Sequence, residues 1–518
     1  MPRARGHVLV AVNDEALLAG AREVEAALRK NIAEEGLTEE IQVIETGDLG
    51  VSGRGVVLAV HPDGVHYGDV KVGDVAEIVR EHLLKGRPVE RLRLIPRPTQ
   101  ATGLVRKQQR IVLENCGVID PESLEEAIAA GAYQAIGKIL EEKTPPADLV
   151  ALVKASGLRG RGGAGFPTGV KWSFTAPGEQ KYIVCNADEG EPGTFKDRLI
   201  LEGDPHRLIE GIMLAGYAVG ASMGYVYIRG EYPLSIERMQ RAIEAARRAE
   251  LLGPSVLGSD FSFDIEIKKG AGAYVCGEET ALIESIEGKR GYPRLKPPYP
   301  GTFGVWGRPT VVNNVETLAN VPPIVLHGAD WFRSFGTPTC PGTKVYTILG
   351  HVQNPGLIEV EMGTPLRTII EEYGGGVREG HRFKAALIGG AAGAVVGEDG
   401  LDLPMDFDGL REFSAVLGSG AILVLDETTS IVDLLHGILR FFRHESCGQC
   451  APCRAGTPAL VRLSQQMRTG EGAAEGLDRM VEIAKTMEAS SLCPLGQSVI
   501  LPLGTAIGAF RDEFEAVG

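Results

Sequence analysis

Cys447, Cys450 and Cys453 form a CxxCxxC run, and Cys493 follows it within the last 72 residues. A loop of that spacing can turn three thiolates toward one iron–sulfur cube, with the distant cysteine supplying the fourth ligand. Pro494, directly after Cys493, is also a feature of ferredoxin-type runs. The other metal such a donor set admits is a structural Zn(Cys)4 site, although zinc usually takes two separate CxxC knuckles. Cys116, Cys185, Cys276 and Cys340 match no ligand spacing and read as small buried hydrophobes.

A second candidate site begins at Gly160-Arg161-Gly162-Gly163-Ala164-Gly165-Phe166-Pro167-Thr168-Gly169, which has five glycines in ten residues. Successive backbone N–H groups in such a loop can ring a phosphate, and the missing Cβ atoms let a flat ring lie against the chain. Arg161 and Lys171 add positive charge beside it. Alone the loop is also compatible with a simple turn, since it is neither a P-loop nor a clean GxGxxG.

Asn186-Ala187-Asp188-Glu189-Gly190-Glu191 follows a strand at Tyr182–Cys185, so amide and carboxylates stand at a strand's C-terminal end, where open α/β sheets bind ligands. The alternative is a solvated acidic loop. Gly270 to Gly277 and then Glu278-Glu279 repeat the pattern of strand, glycine loop and carboxylates opening a helix, where acids also suit the helix dipole. Arg294-Leu295-Lys296-Pro297-Pro298-Tyr299 forms a proline-stiffened basic loop, and Asn313-Asn314 reads as a polar helix entrance.

The elements that must position these residues follow from hydrophobic period. Residues 1–100 alternate strand (Val8–Val12), one long helix (Glu15–Glu35), strands at Ile41–Glu45, Val56–Val60 and Val65–Val70, and a helix at Gly73–Leu84. His61-Pro62-Asp63-Gly64 makes the hairpin turn, and Ile95–Thr99 is a linker. Residues 120–335 hold strands Tyr182–Cys185, Tyr225–Arg229 and Phe263–Lys268 between helices, an α/β pattern with a mainly parallel sheet. Residues 340–428 read as a small α+β domain. Residues 430–518 read as a four-helix bundle with the cysteines in its loops: Ile431–Phe442, Pro458–Met467, Leu477–Met487 and Val499–Phe514.

Composition narrows the function classes. With 518 residues, 44% hydrophobic and 23% charged, the chain reads as several globular domains. A net charge of −15 repels nucleic acid and anionic membrane surfaces. The apolar stretch before Asn13 is too short for a signal peptide, which points to the cytoplasm. Gly211–Ile228 is the longest uncharged run, but Asp204-Pro205 ahead of it looks like a helix start, so it reads as a buried helix and strand rather than a membrane span.

Taken together, these segments from about residue 120 to 518 resemble the NADH-binding flavoprotein subunit of respiratory complex I and its homologues, the diaphorase subunits of NAD-linked hydrogenases and formate dehydrogenases. The resemblance implies a multidomain α/β chain: thioredoxin-like N-terminal domain, Rossmann-like FMN/NADH domain, β-grasp-like α+β domain and a helical [4Fe-4S] bundle. It implies hydride transfer between NAD(H) and FMN, then single-electron transfer to the cluster and partner subunits. Those partners would be a thioredoxin-like [2Fe-2S] subunit and an Fe–S-rich subunit, in a complex that is cytoplasmic or peripheral to the membrane.

By the same resemblance Gly160 to Gly169, Lys171, Asn186, Asp188, Glu189, Gly277, Glu278, Glu279, Asn313 and Asn314 hold FMN and dinucleotide. Phe166, Phe174 and Tyr299 flank the adenine, Lys296 contacts the dinucleotide, Glu191 lies near the flavin, and Cys447, Cys450, Cys453 and Cys493 ligate the cluster. The alternatives are an electron-bifurcating subunit, or a dinucleotide-binding scaffold with structural zinc. Residues 1–100 depart from the resemblance, because the first cysteine of the chain is Cys116 and no [2Fe-2S] ligand stands there.

Overall fold

The computed structural model describes residues 6–47, 49, 51, 53–94, 108–470 and 473–516. The expected linker at Ile95–Thr99 lies outside these. Three sheets and a helical C-terminal region follow one another along the chain.

The first sheet has the order β2-β1-β3-β4, from β1 (Gly6–Ala11), β2 (Ile41–Thr46), β3 (Leu58–His61) and β4 (Val65–Tyr67). β1 pairs parallel to β2 and antiparallel to β3, and the hairpin joins β3 to β4. The single helix expected over Glu15–Glu35 is two, Asp14–Leu18 and Ala21–Glu34. Gly20 breaks it at φ +95°, a left-handed conformation open to glycine. This domain's core also takes in Leu234 from the neighbouring Pro233–Arg248 helix, and Arg198 pairs with Asp14 at 2.8 Å across the contact.

The second sheet has the order β7-β6-β5-β8 and is parallel throughout. Its strands are β5 (Tyr182–Ala187), β6 (Met223–Ile228), β7 (Asp264–Lys269) and β8 (Thr310–Asn314). Ile183, Cys185 and Ala187 enter one core while Val184 enters another, so the alternating faces of β5 are both buried. β8 is an addition: Asn313-Asn314 ends a strand as well as opening the helix Val315–Ala319. Its short run, Thr310 to Asn314, carries too little apolar pattern to announce a strand. The uncharged run from Gly211 divides into the end of the Pro205–Val219 helix and β6. Among the described residues no helix is long and apolar enough to cross a membrane.

The third sheet has the order β10-β9-β13-β11-β12, from β9 (Thr343–Gly350), β10 (Gly356–Glu361), β11 (Phe383–Ile388), β12 (Ala394–Val396) and β13 (Ala421–Asp426). It is mixed, with β9 and β13 parallel. The C-terminal helices run Ile431–Glu445, Ala451–Arg468, Ala473–Ser490 and Ile500–Ala516, with a short turn of helix at Pro494–Gln497. Their apolar faces share one core with Val184, Tyr225 and Tyr227 of the parallel sheet and Leu387 and Leu425 of the mixed one. The cysteines do not all lie in loops. Cys453 sits in the first turn of the Ala451–Arg468 helix, and Cys493 is the N-cap of Pro494–Gln497.

Candidate functional site

The parallel sheet fixes where the first site can be. From β5 the chain moves to β6 on one side, whereas β8 returns on the other. That is a topological switch point, where loops at the strand ends part and leave a crevice. Asn186 and Asn314 are paired neighbours at this end of the sheet, and Asp188 and Glu189 follow directly. The glycine loop covers the crevice: Gly160 N–H donates to Phe166 O at 2.9 Å, closing the loop on itself. A Cβ on Gly162 would stand 2.9 Å from that of Asn314, and Gly163 and Gly165 take φ of +137° and +64°. Here glycine is required by close approach and by backbone shape. Ala164 and Phe166 face outward on this loop.

The Arg161 expectation is corrected. Its side chain is fully buried and turns away, donating to the carbonyls of Thr343, Pro341 and Arg159, so it adds no charge to the loop's open face. Positive charge comes from Lys171 and Lys296 instead. Both reach Glu279 at 2.9 Å, and Lys296 also reaches Glu278 at 2.8 Å. Burial alone would raise Glu279, but the two lysines hold its carboxyl below the usual range. Glu278 caps the Glu279–Ile286 helix, accepting from Thr280 and Ala281 N–H. Phe166, Phe174 and Tyr299 are 49%, 65% and 60% exposed, an unusual state for aromatics and one that leaves their faces free.

The polar groups in the crevice differ in what they still have to give. Glu189 accepts from the N–H groups of Asp197 and Arg198, so its acceptors are already used; burial lifts its pKa to about 7. Asn313 Oδ1 is taken by the Nε1 of buried Trp172 at 2.8 Å. Asn186 spans Asp188 N–H and Gly277 O. Asp188 is the exception: it is 8% exposed, and its Oδ2 is buried without a partner among the described residues. Burial pushes its pKa to about 7 despite nearby Arg229. A buried polar atom of this kind calls for a partner, which a bound group or water can supply.

Three features of the site were not legible in the sequence. Behind Asn314 lies a buried ionic network. Asn314 Nδ2 donates to Asp197 Oδ2 at 2.6 Å and Lys196 Nζ to Asn314 Oδ1 at 3.2 Å, and Lys196 and Lys344 share Glu316 Oε2 at 3.0 and 2.6 Å. Second, the mixed sheet supplies a wall: the Ala391 amide donates to Glu191, and Thr194 Oγ1 meets Ser419 Oγ at 2.6 Å. Third, Tyr274 connects the site to the helical region. Its hydroxyl donates to Glu191 Oε2 at 2.7 Å, its N–H donates to Glu445, and its ring meets Phe441 edge-on with centroids 5.1 Å apart.

The four thiols lie next to that junction. Cys453 and Cys493 are buried and Cys447 and Cys450 half-buried. Burial, with Cys447 and Cys453 nearby, pushes the Cys493 thiol up to about 11. Four thiolates cannot share such a place without a cation to offset them. Among the described residues no three of these sulfurs lie within 4.8 Å of one another. Three of the four come from one tight run, a donor set that suits a cube of iron and sulfide, whereas zinc usually takes two separate knuckles.

Comparison with known proteins gives matches across these regions. Residues 153–323 match the family described as Nuo51 FMN-binding domain, 345–397 the SLBB domain, and 433–517 the NADH-ubiquinone oxidoreductase-F iron-sulfur binding region. The chain is 49% identical over 418 residues to the NADP-reducing hydrogenase subunit HndC of Solidesulfovibrio fructosivorans, covering 80% of this chain and 85% of that one. It is also 49% identical over 408 residues to an NADH-quinone oxidoreductase subunit of Rhizobium meliloti (strain 1021), covering 78% and 97%. A solved NAD+-reducing [NiFe]-hydrogenase in the H2-reduced state superposes with a TM-score of 0.70 at 32% identity, over 100% of this chain and 86% of that one.

Proposed function

The chain belongs to the family of FMN- and [4Fe-4S]-carrying NADH dehydrogenase subunits found in NADH-quinone oxidoreductases and their hydrogenase counterparts, and from this premise we propose how its residues divide the work. When bound, FMN supplies the exchange between a two-electron hydride donor and a one-electron acceptor. The switch-point crevice is its seat: the Gly160–Gly169 loop gives backbone donors and close approach, Asp188 gives a free polar contact, and Asn186 and Asn314, whose amides are already bonded within the protein, fix the strand ends that line it. The unpartnered Oδ2 of Asp188 is the observation that carries this reading.

The open edge of the same crevice takes NAD(H). Phe166, Phe174 and Tyr299 offer stacking faces, and Lys171 and Lys296 lie ready to exchange Glu279 for phosphate oxygens. Glu191 is held beside the flavin seat by Tyr274 and the Ala391 amide. Cys447, Cys450, Cys453 and Cys493 hold the cluster. The close packing of the helical region on the Tyr274 side keeps water out of the gap between the two redox sites.

In this reading the chain has a thioredoxin-like domain over residues 1–100, a Rossmann-like domain over 120–335, a β-grasp-like domain over 340–428 and a helical [4Fe-4S] domain over 430–518. The parallel-then-antiparallel order of the first sheet supports the thioredoxin-like assignment, and its lack of cysteine leaves it a docking or structural role. The partners are an Fe–S-rich subunit and a [2Fe-2S] thioredoxin-like subunit, in a complex lying in the cytoplasm or against the membrane. The test is anaerobic purification of the full chain. Flavin absorption and a cluster signal that both bleach with NADH support the reading, whereas zinc without a chromophore overturns it.

A further inference from the structure

We propose that the hydroxyls of Ser446 and Ser491 donate hydrogen bonds to the buried side of the cluster and raise its reduction potential. This rests on the reading of the four cysteines as [4Fe-4S] ligands and concerns two residues that reading does not use. Ser446 Oγ lies 3.1 Å from Cys453 Sγ. Once that sulfur is a ligated thiolate it has no proton, so the serine is the donor. Ser491 is 7% exposed, and its Oγ is buried with no partner among the described residues.

Glycine at 496 leaves room between Ser491 and the ligand. A Cβ there would stand 2.4 Å from Ser491 Oγ and 3.1 Å from Cys453 Cβ. As the side chains stand Ser491 Oγ has no sulfur within bonding reach, but only the space of a missing methyl group separates it from the Cys453 side chain. The Leu495 and Gly496 amides serve Cys493 on the same side. Donors thus gather at Cys453 and Cys493, while Cys447 and Cys450 are half-buried. Reduction would take iron from Fe3+ to Fe2+ and leave more negative charge on the sulfurs bound to it, so hydrogen bonds to sulfur favour the reduced state.

The test is an EPR-monitored redox titration of the full chain carrying Ser446→Ala or Ser491→Ala. Each variant should keep its iron and line shape while the equilibrium constant for reduction falls about tenfold, which for one electron is about 59 mV more negative. Ser446→Thr and Ser491→Thr, which retain the hydroxyl, should return toward the parent value. An unchanged midpoint with the cluster intact overturns the proposal. Should an alanine variant lose iron, pulsed EPR of the reduced parent protein after exchange into D2O decides. Strongly coupled exchangeable protons beyond those of the two amides support it, and their absence overturns it. Failure of the ligand reading is distinguishable, because Cys493→Ser would then leave iron content and line shape unchanged.

Discussion

Tyr274 donates a hydrogen bond to Glu191 at 2.7 Å, joining the carboxylate beside the proposed flavin seat to a ring that packs on the cluster-bearing helices. Burial raises the Glu191 pKa, and the bonds from Tyr274 and the Ala391 amide offset part of that rise. Removing the hydroxyl while keeping the ring should therefore raise it further. Tyr274→Phe should retain FMN, yet the acidic limb of kcat/KM for NADH should move up by about one pH unit, the equivalent of one charge-assisted hydrogen bond. An unshifted pH profile would show that Glu191 need not be ionised for turnover.

Phe166→Ala removes stacking area without touching the crevice floor. KM for NADH should rise by the equivalent of roughly 1–3 kcal/mol while flavin content holds. Gly162→Ala should do the reverse. Its φ is ordinary, so the only insult is a Cβ 2.9 Å from that of Asn314. FMN retention should fall about tenfold as Asn314 is displaced, with KM changed little in the molecules that keep flavin. Flavin released on gel filtration, set against steady-state KM, separates the two.

Asp188 should make the flavin-free protein sensitive to pH. Its folded pKa is about 7 against an unfolded value near 3.8, so between those limits the folded chain holds a proton that the unfolded chain has lost. Its contribution is intact at pH 4 and declines as pH rises toward 7. Asp188→Asn is neutral throughout, so the flavin-free variant should melt a few degrees above the parent at pH 8 and level with it near pH 4. The same change should weaken FMN retention if Oδ2 accepts from the flavin. Thermal melts at the two pH values, with and without FMN, measure both effects.

The parts of the site that could be read from sequence are those where residue type and spacing carry the chemistry: four cysteines, a glycine loop, and carboxylates at strand ends. Hydrophobic period marked β5, β6 and β7, because each is an apolar run bounded by turns. It did not mark β8, whose five residues end in two asparagines, and without β8 the switch point could not be located. Tyr274, Ser491 and the Lys196–Glu316–Lys344 network were not legible for a different reason. Each acts through a partner at least 28 residues away in sequence, or through burial that only the packed domains create. Arg161 misled because a cation beside a glycine loop looks the same in sequence whether it faces ligand or interior.

Cys493→Ser should uncouple the two halves of the reaction. Cys493 stands at the N-cap of Pro494–Gln497, after the two long helices that separate it from Cys453. It meets the other thiols only because those helices fold back on each other, and burial keeps it there. Without its thiolate three ligands remain, which should convert or destabilise the cluster, while the crevice at the end of the parallel sheet keeps its own contacts. NADH oxidation with an artificial acceptor that draws on flavin directly should survive, and reduction of the partner subunit should fall sharply. The measurement is that pair of rates beside low-temperature EPR of the NADH-reduced variant. An unaltered signal with normal partner reduction would remove Cys493 from the ligand set. Loss of both rates together with flavin would mean that the cluster holds the helical region against Tyr274 and the crevice, and so stabilises the fold as well as carrying electrons.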